Sequence, residues 1–122
     1  MVMKILLVDD DVFLRDMYAV KFKEQGDNVS SARDGAEALR MIASDTYDVV
    51  VTDMVMPGMS GSELIRQICA GENSKKIRCI VLSNQGEDSD MAEAKKNGAV
   101  GYIIKAESIP SEVVAKVHAL VS

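Results

Sequence analysis

The sequence predicts an α/β fold, a doubly wound parallel sheet of five strands with five helices in three layers, on three observations. Four short apolar runs each end in a polar residue: Ile5–Val8 before Asp9 and Asp10, Val49–Thr52 before Asp53, Ile80–Leu82 before Ser83, and Tyr102–Ile104 before Lys105. Uninterrupted β-branched runs of this length suit strands buried on both faces. Stretches of helical period lie between them, and strand followed by helix, five times over, calls for right-handed crossovers and helices on both sides of the sheet. Finally, 122 residues with 48% hydrophobic content provide for a single domain, 1–122, and leave no room for a second.

The elements follow in order. After the first strand, Asp11 to Gln25 carries Leu14, Met17, Tyr18 and Phe22 at helical spacing, and Gly26 ends the pattern as a left-handed cap. Val29–Ala32 is a short second strand, followed by a helix from Asp34 to Ser44 with Ala38, Leu39 and Ile42 on its apolar face. Beyond the Val49–Thr52 strand, Ser60-Gly61-Ser62 opens a helix through Leu64, Ile65 and Ile68 that closes near Gly71. A fourth helix runs from Glu87 and is stopped by Asn97-Gly98. The fifth spans Ser108 to Val121, with Pro110 in its first turn, where the missing N–H is harmless, and Val113, Val114, Val117, Leu120 and Val121 on one side. No internal repeat, low-complexity segment or linker interrupts the series.

Composition removes several functions. A net charge of −5 and a pI near 4.8 argue against unaided binding to nucleic acid or an anionic membrane, both of which need a basic patch. The pairs Lys75-Lys76 and Lys95-Lys96 read as solvated faces. The opening Met1-Val2-Met3-Lys4 leads straight into a strand without the pattern of a secretory signal, and no stretch approaches the ~20 apolar residues of a spanning helix. The expected location is the cytoplasm. Cys69 and Cys79 lack metal-ligand spacing and read as buried thiols of a reducing compartment, and the lone His118 as a helix-face residue.

Parallel strands present all their carboxyl ends at one sheet edge, where ligands bind. That edge gathers Asp9, Asp10, Asp53, Ser83 and Lys105. Three carboxylates and one ammonium carry a formal charge of −2, which alone would raise at least one pKa. A divalent cation neutralises the group, and all-oxygen ligands suit Mg²⁺, with Mn²⁺ as a substitute. Such a pocket can also neutralise a transferring phosphoryl group. Asp53, at the end of the central run and before the turn residues Pro57-Gly58 and Ser60-Gly61, is the candidate nucleophile. An acyl phosphate there adds a negative charge that Ser83 and Lys105 are placed to satisfy.

These residues carry a resemblance that spans essentially the whole chain. With Asp9-Asp10 as an acidic pair, Asp53, Met56, Pro57 and Gly61 in the pattern Asp-x-x-Met-Pro-x-x-x-Gly, then Ser83, Tyr102 and Lys105, the sequence resembles a receiver domain of two-component response regulators. The resemblance implies a flavodoxin-like (βα)5 sandwich of strand order 2-1-3-4-5. It implies phosphoryl transfer to Asp53 from a sensor histidine kinase or phosphotransfer protein, with only self-catalysed transfer and autodephosphorylation as chemistry. Mg²⁺ would be held by Asp10, Asp53 and the backbone carbonyl of Val55, with Asp9 acting through water. Ser83 and Tyr102 would be the switch, moving to alter a downstream target's docking face on the fourth helix, fifth strand and fifth helix. A monomer or weak phosphorylation-dependent dimer follows, either stand-alone or part of a longer regulator.

Three positions depart from the usual pattern. Ala106 follows the lysine where proline is usual, so the familiar cis peptide is not expected and the loop is freer. Val55 offers no polar side chain to water, and Asn84 is bulkier than the small residue often found there; both are read as modulators of phosphate lifetime. Phe13 lies off the Leu14–Tyr18–Phe22 stripe, and with Val12 is a candidate docking point for the kinase phosphotransfer domain. Competing readings are a phosphorylation-independent pseudo-receiver, a flavodoxin-like nucleotide binder, and a phosphohydrolase using Asp9 and Asp11 in an Asp-x-Asp motif; the last lacks the Thr or Val expected at Phe13. Asp11 by itself suits the first turn of a helix.

Overall fold

The computed structural model describes residues 2–71, 77–84 and 86–121, so the Lys75-Lys76 pair lies outside the described residues. Strands β1 (Lys4–Val8), β2 (Asn28–Ala32), β3 (Val49–Thr52), β4 (Arg78–Ser83) and β5 (Gly101–Ile104) alternate with helices α1 (Val12–Glu24), α2 (Gly35–Ser44), α3 (Gly61–Ala70), α4 (Asp88–Lys96) and α5 (Pro110–Val121). All strand pairs are parallel, in the order β2-β1-β3-β4-β5. The chain reverses direction across the sheet between β1 and β3, which are adjacent with Val8 opposite Thr52. The residues after those two strands therefore emerge side by side.

The period of two along each strand sorts the core into two layers. Leu6, Val8, Val50 and Val81 face α2 and α3, meeting Ala38, Leu64, Ile65 and Ile68. Ile5, Leu7, Val49, Val51, Ile80 and Leu82 face the other way, against Tyr18 and Phe22 of α1 and Val113, Val114 and Val117 of α5. This two-sided burial is why the central strands read as continuous apolar runs.

The first three helices begin where the sequence places them. Asp11, Asp34 and Ser60 cap α1, α2 and α3, their side chains accepting backbone N–H groups of the first turns. Glu37 also accepts the Arg33 N–H at 2.9 Å, completing a box around the start of α2. Gly26 takes a φ of +91°, the left-handed geometry expected of it.

Three expectations are corrected. The fifth helix starts at Pro110 and not Ser108, because Ser108 is extended, with φ −146° and ψ 139°, where it leaves the 3₁₀ turn Lys105–Glu107. Met17 is 37% exposed and not part of the core stripe, lying on the helix face that also carries the exposed Phe13 and Val20. Leu120 also leaves the buried side of α5; its side chain covers Gly101, where an added Cβ would lie 2.4 Å from it. His118 does have a partner. Its Nε2 lies 2.6 Å from Oδ2 of Asp27, whose side chain is fully buried and whose Oδ1 accepts the Met3 N–H at 3.3 Å. This pair pins α5 to the corner between α1 and β2, satisfying a carboxylate that would be costly to bury alone.

Candidate functional site

Ladder hydrogen bonds fix the two central acids before any side chain is considered. The Asp9 N–H donates to the Ala32 carbonyl at 3.2 Å, and the Asp53 N–H to the Val8 carbonyl at 2.9 Å, so pairing continues one residue past each strand. Asp9, Asp10 and Asp53 each bring one carboxylate oxygen within 4.8 Å of the others. Lys105, just after β5, reaches across the edge, its Nζ 2.8 Å from Asp9 Oδ2 and 3.1 Å from Asp53 Oδ2. Its side chain is only 7% exposed.

Burial raises the pKa of Asp9, while the hydrogen bond from Lys105 and the Asp11 N–H on Oδ1 pull it back. The charge of Asp53 is the smallest contribution. One acid of the cluster does have a raised pKa, but burial and not the crowding of like charges is the chief cause. Burial alone would lower the pKa of Lys105, but the hydrogen bond to Asp9 and the charges of Asp53 and Asp9 outweigh it and hold the ammonium form.

Asp53 is held from behind. Its Oδ1 accepts the Met54 N–H at 2.7 Å, and the buried Thr52 hydroxyl donates to its carbonyl at 2.9 Å. The next loop turns back so closely that Gly61 N–H donates to the Met54 carbonyl at 2.8 Å, and a Cβ on Gly61 would stand 2.1 Å from the Asp53 carbonyl oxygen. Only glycine fits there. Met54 and Met56 are packed in the core; the Met54 sulfur accepts the Ser62 hydroxyl, and the Met56 sulfur lies against the Thr52 hydroxyl oxygen.

At the β4 edge, Ser83 is buried and Tyr102 lies diagonally from it, on the strand neighbour of Val81. The two side chains share a hydrogen bond. Tyr102 is partly buried, which raises its phenol pKa, and Asp90 pushes the same way. Asn84 is exposed, as are Val55 and Val12, while Phe13 is 85% exposed. No cis peptide occurs among the described residues, and the chain after Lys105 is a 3₁₀ turn and not a free loop. Asp11 is committed to capping α1 through Phe13 and Leu14 N–H, which speaks against its use as the second acid of an Asp-x-Asp motif.

Residue-type patterns did not single out Arg15 and Tyr18. Arg15 Nη1 donates to the Asp9 carbonyl at 3.0 Å, and Tyr18 lies behind Asp9 and Lys105, its phenol pKa raised by burial. Both line a small cavity with Asp9, Thr52 and Asp53. A signal was present: Arg15 falls between Leu14 and Tyr18 on the inward side of α1, an unusual place for a charge.

Residues 5–118 match the family model described as response regulator receiver domain. The chain is a member of that family. Among curated proteins it is 36% identical over 104 residues to chemotaxis protein CheY of Pseudomonas aeruginosa, covering 84% of both chains. It is 33% identical to the two-component response regulator PhoP of the same organism, covering 97% of this chain and 51% of that one. Among solved structures, Vibrio cholerae chemotaxis protein CheY4 superposes with a TM-score of 0.91 at 27% identity, covering 98% of this chain and 99% of that one. Response regulator protein TrrA of Thermotoga maritima, in complex with Mg²⁺–BeF, gives 0.83 at 31% identity, covering 97% and 98%. This receiver domain is thus CheY-like, with the order 2-1-3-4-5 expected of the resemblance, and its acidic pocket fits Mg²⁺ and a phosphoaspartate.

Gly61→Ala is expected to lower stability by about 1–3 kcal/mol, because backbone and not a flexible side chain must yield. Gly71→Ala, whose added Cβ would meet nothing closer than 3.4 Å, should stay within about 0.5 kcal/mol. Urea unfolding of both variants makes the comparison.

Proposed function

We propose that this receiver is a phosphoaspartate switch in which Asp53 accepts a phosphoryl group from a phosphohistidine of a sensor kinase or phosphotransfer protein. The observation that carries the reading is the convergence on Asp53 of one buried ammonium and two further carboxylates at a single sheet edge. An Asp53 oxygen bonds to phosphorus as the N–P bond breaks, and the imidazole nitrogen leaves with that electron pair. Lys105, already held as the ammonium, lies beside the reacting oxygen and offsets the added negative charge.

The donor set of clustered oxygens fits a hard divalent cation. Asp10, Asp53 and the Val55 carbonyl would hold Mg²⁺, or Mn²⁺, with Asp9 acting through water, and the ion would supply charge neutralisation of the phosphoryl oxygens. The Mg²⁺–BeF complex of TrrA supports the same reading. Ser83 turning toward the phosphoryl group would release the hydrogen bond it shares with Tyr102, and so couple the site to the surface of α4, β5 and α5, where a downstream target would dock. The chain acts as a single cytoplasmic domain over 1–122, a monomer or weak phosphorylation-dependent dimer, with no turnover of a separate substrate.

Incubation with Mg²⁺ and acetyl phosphate or beryllofluoride should label or shift the wild type and leave Asp53→Asn unchanged; a response surviving in Asp53→Asn overturns the assignment. Val12 and Phe13 are proposed to dock the phosphodonor's helical domain, with Phe13 continuing outward into Met17 and Val20. Phe13→Ala should slow transfer from the kinase by roughly tenfold while sparing acetyl phosphate; equal slowing with both donors counts against docking. The exposed Val55 side chain gives attacking water no hydrogen bond, and the exposed Asn84, bulkier than a small residue, would restrict its approach. Val55→Asn with Asn84→Ala is therefore expected to hasten loss of phosphate by roughly tenfold, the effect of a single hydrogen bond. An unchanged decay of the phosphorylated form refutes that role.

A further inference from the structure

Two thiols that are ten residues apart in sequence meet in the fold. Cys69 is in the last turn of α3 and partly exposed, and Cys79 is the second residue of β4 and buried, yet both pack in the same core layer. The two thiols share a hydrogen bond, and the Cys69 sulfur also packs against the turn before β5. It lies against Gly98, where an added Cβ would stand only 2.4 Å from it, and the chain two residues on returns to Cys79, whose carbonyl accepts the Val100 N–H at 2.8 Å. The missing side chain at Gly98 thus opens the corner in which Cys69 reaches Cys79.

We propose that Cys69 and Cys79 are a dithiol modification site that closes to an intramolecular disulfide on reaction with a low-molecular-weight disulfide of the glutathione class. The Cys69 thiolate attacks one sulfur of the small disulfide, breaking its S–S bond and releasing one glutathione thiolate, which takes up a proton. Cys79 then loses its proton to solvent and attacks the Cys69 sulfur, forming the Cys69–Cys79 bond and expelling the second glutathione. The two protein thiols are oxidised by two electrons and one glutathione disulfide is reduced to two thiols.

The two cysteines have different parts because their surroundings differ. Cys69, in the last turn of a helix that stops before Gly71, is partly exposed to a small reagent. Cys79 is shielded from the reagent, and burial together with the neighbouring Cys69 thiol pushes its pKa up to about 12, so closure is the slow step. The bond would tie the end of α3 to β4 beside the groove lined by Ala94, Ala99, Val100 and Tyr102. Cytosolic disulfides are usually transient and redox-sensing, in keeping with so slow a site.

The test incubates the full chain with oxidised glutathione, quenches with acid, and alkylates under denaturing conditions before intact-mass and peptide analysis. The expected product has lost two hydrogens and both alkylatable thiols, carries no glutathione, and yields one peptide linking Cys69 to Cys79. Cys79→Ala should instead retain glutathione on Cys69, and Cys69→Ala should stay unmodified. A wild type that keeps both thiols, holds glutathione stably on Cys69, or links only between chains overturns the proposal.

Discussion

The ion pair of Lys105 with Asp9 and Asp53 is the interaction on which the rest of the site depends. It joins the ends of β1, β3 and β5, elements far apart in sequence, in a pocket where the lysine side chain is almost entirely buried. A buried ion pair is a weak source of net stability, because desolvation offsets much of the attraction. Its worth here lies in arrangement. Removing either partner would strand the other in low dielectric, so the lysine and the two aspartates hold one another in a single geometry with the third carboxylate, Asp10, facing solvent.

That arrangement rests on backbone more than on side chains. Ladder hydrogen bonds carry Asp9 and Asp53 one step beyond their strands, Arg15 anchors the Asp9 carbonyl, and Thr52 and Gly61 close around the Asp53 carbonyl. Rigid support of this kind lets a pocket respond to an added phosphoryl charge through its softer members. Ser83 and Tyr102, joined by a hydrogen bond at the neighbouring strand end, are the members proposed above to exchange partners.

The fold and most of the site were legible in the residues. Strand runs buried on both faces, Asp11, Asp34 and Ser60 before apolar periods, and Gly26 after one are local signals, and each corresponds to an observed element or cap. The polar strand endings were legible because parallel topology leaves only one edge for them. Less visible were the outward turn of Met17, the covering of Gly101 by Leu120, and the 3₁₀ turn that delays α5. Each depends on how a helix is rotated or where a strand ends in space, which spacing alone does not set.

The sequence by itself determined the α/β class, the position of every strand and helix to within about two residues, and the acids, hydroxyl and lysine that meet at the carboxyl edge, because periodicity, capping and strand direction are local properties of the chain. Tertiary structure alone decided that Asp9 takes Lys105 directly, that Asp11 is spent on a helix cap, that His118 meets Asp27, and that Cys69 meets Cys79. The reason is physical. Pairings across tens of residues depend on sheet order, helix rotation and the small gaps left by glycines such as Gly61 and Gly98, and those arise only when the layers close on one another.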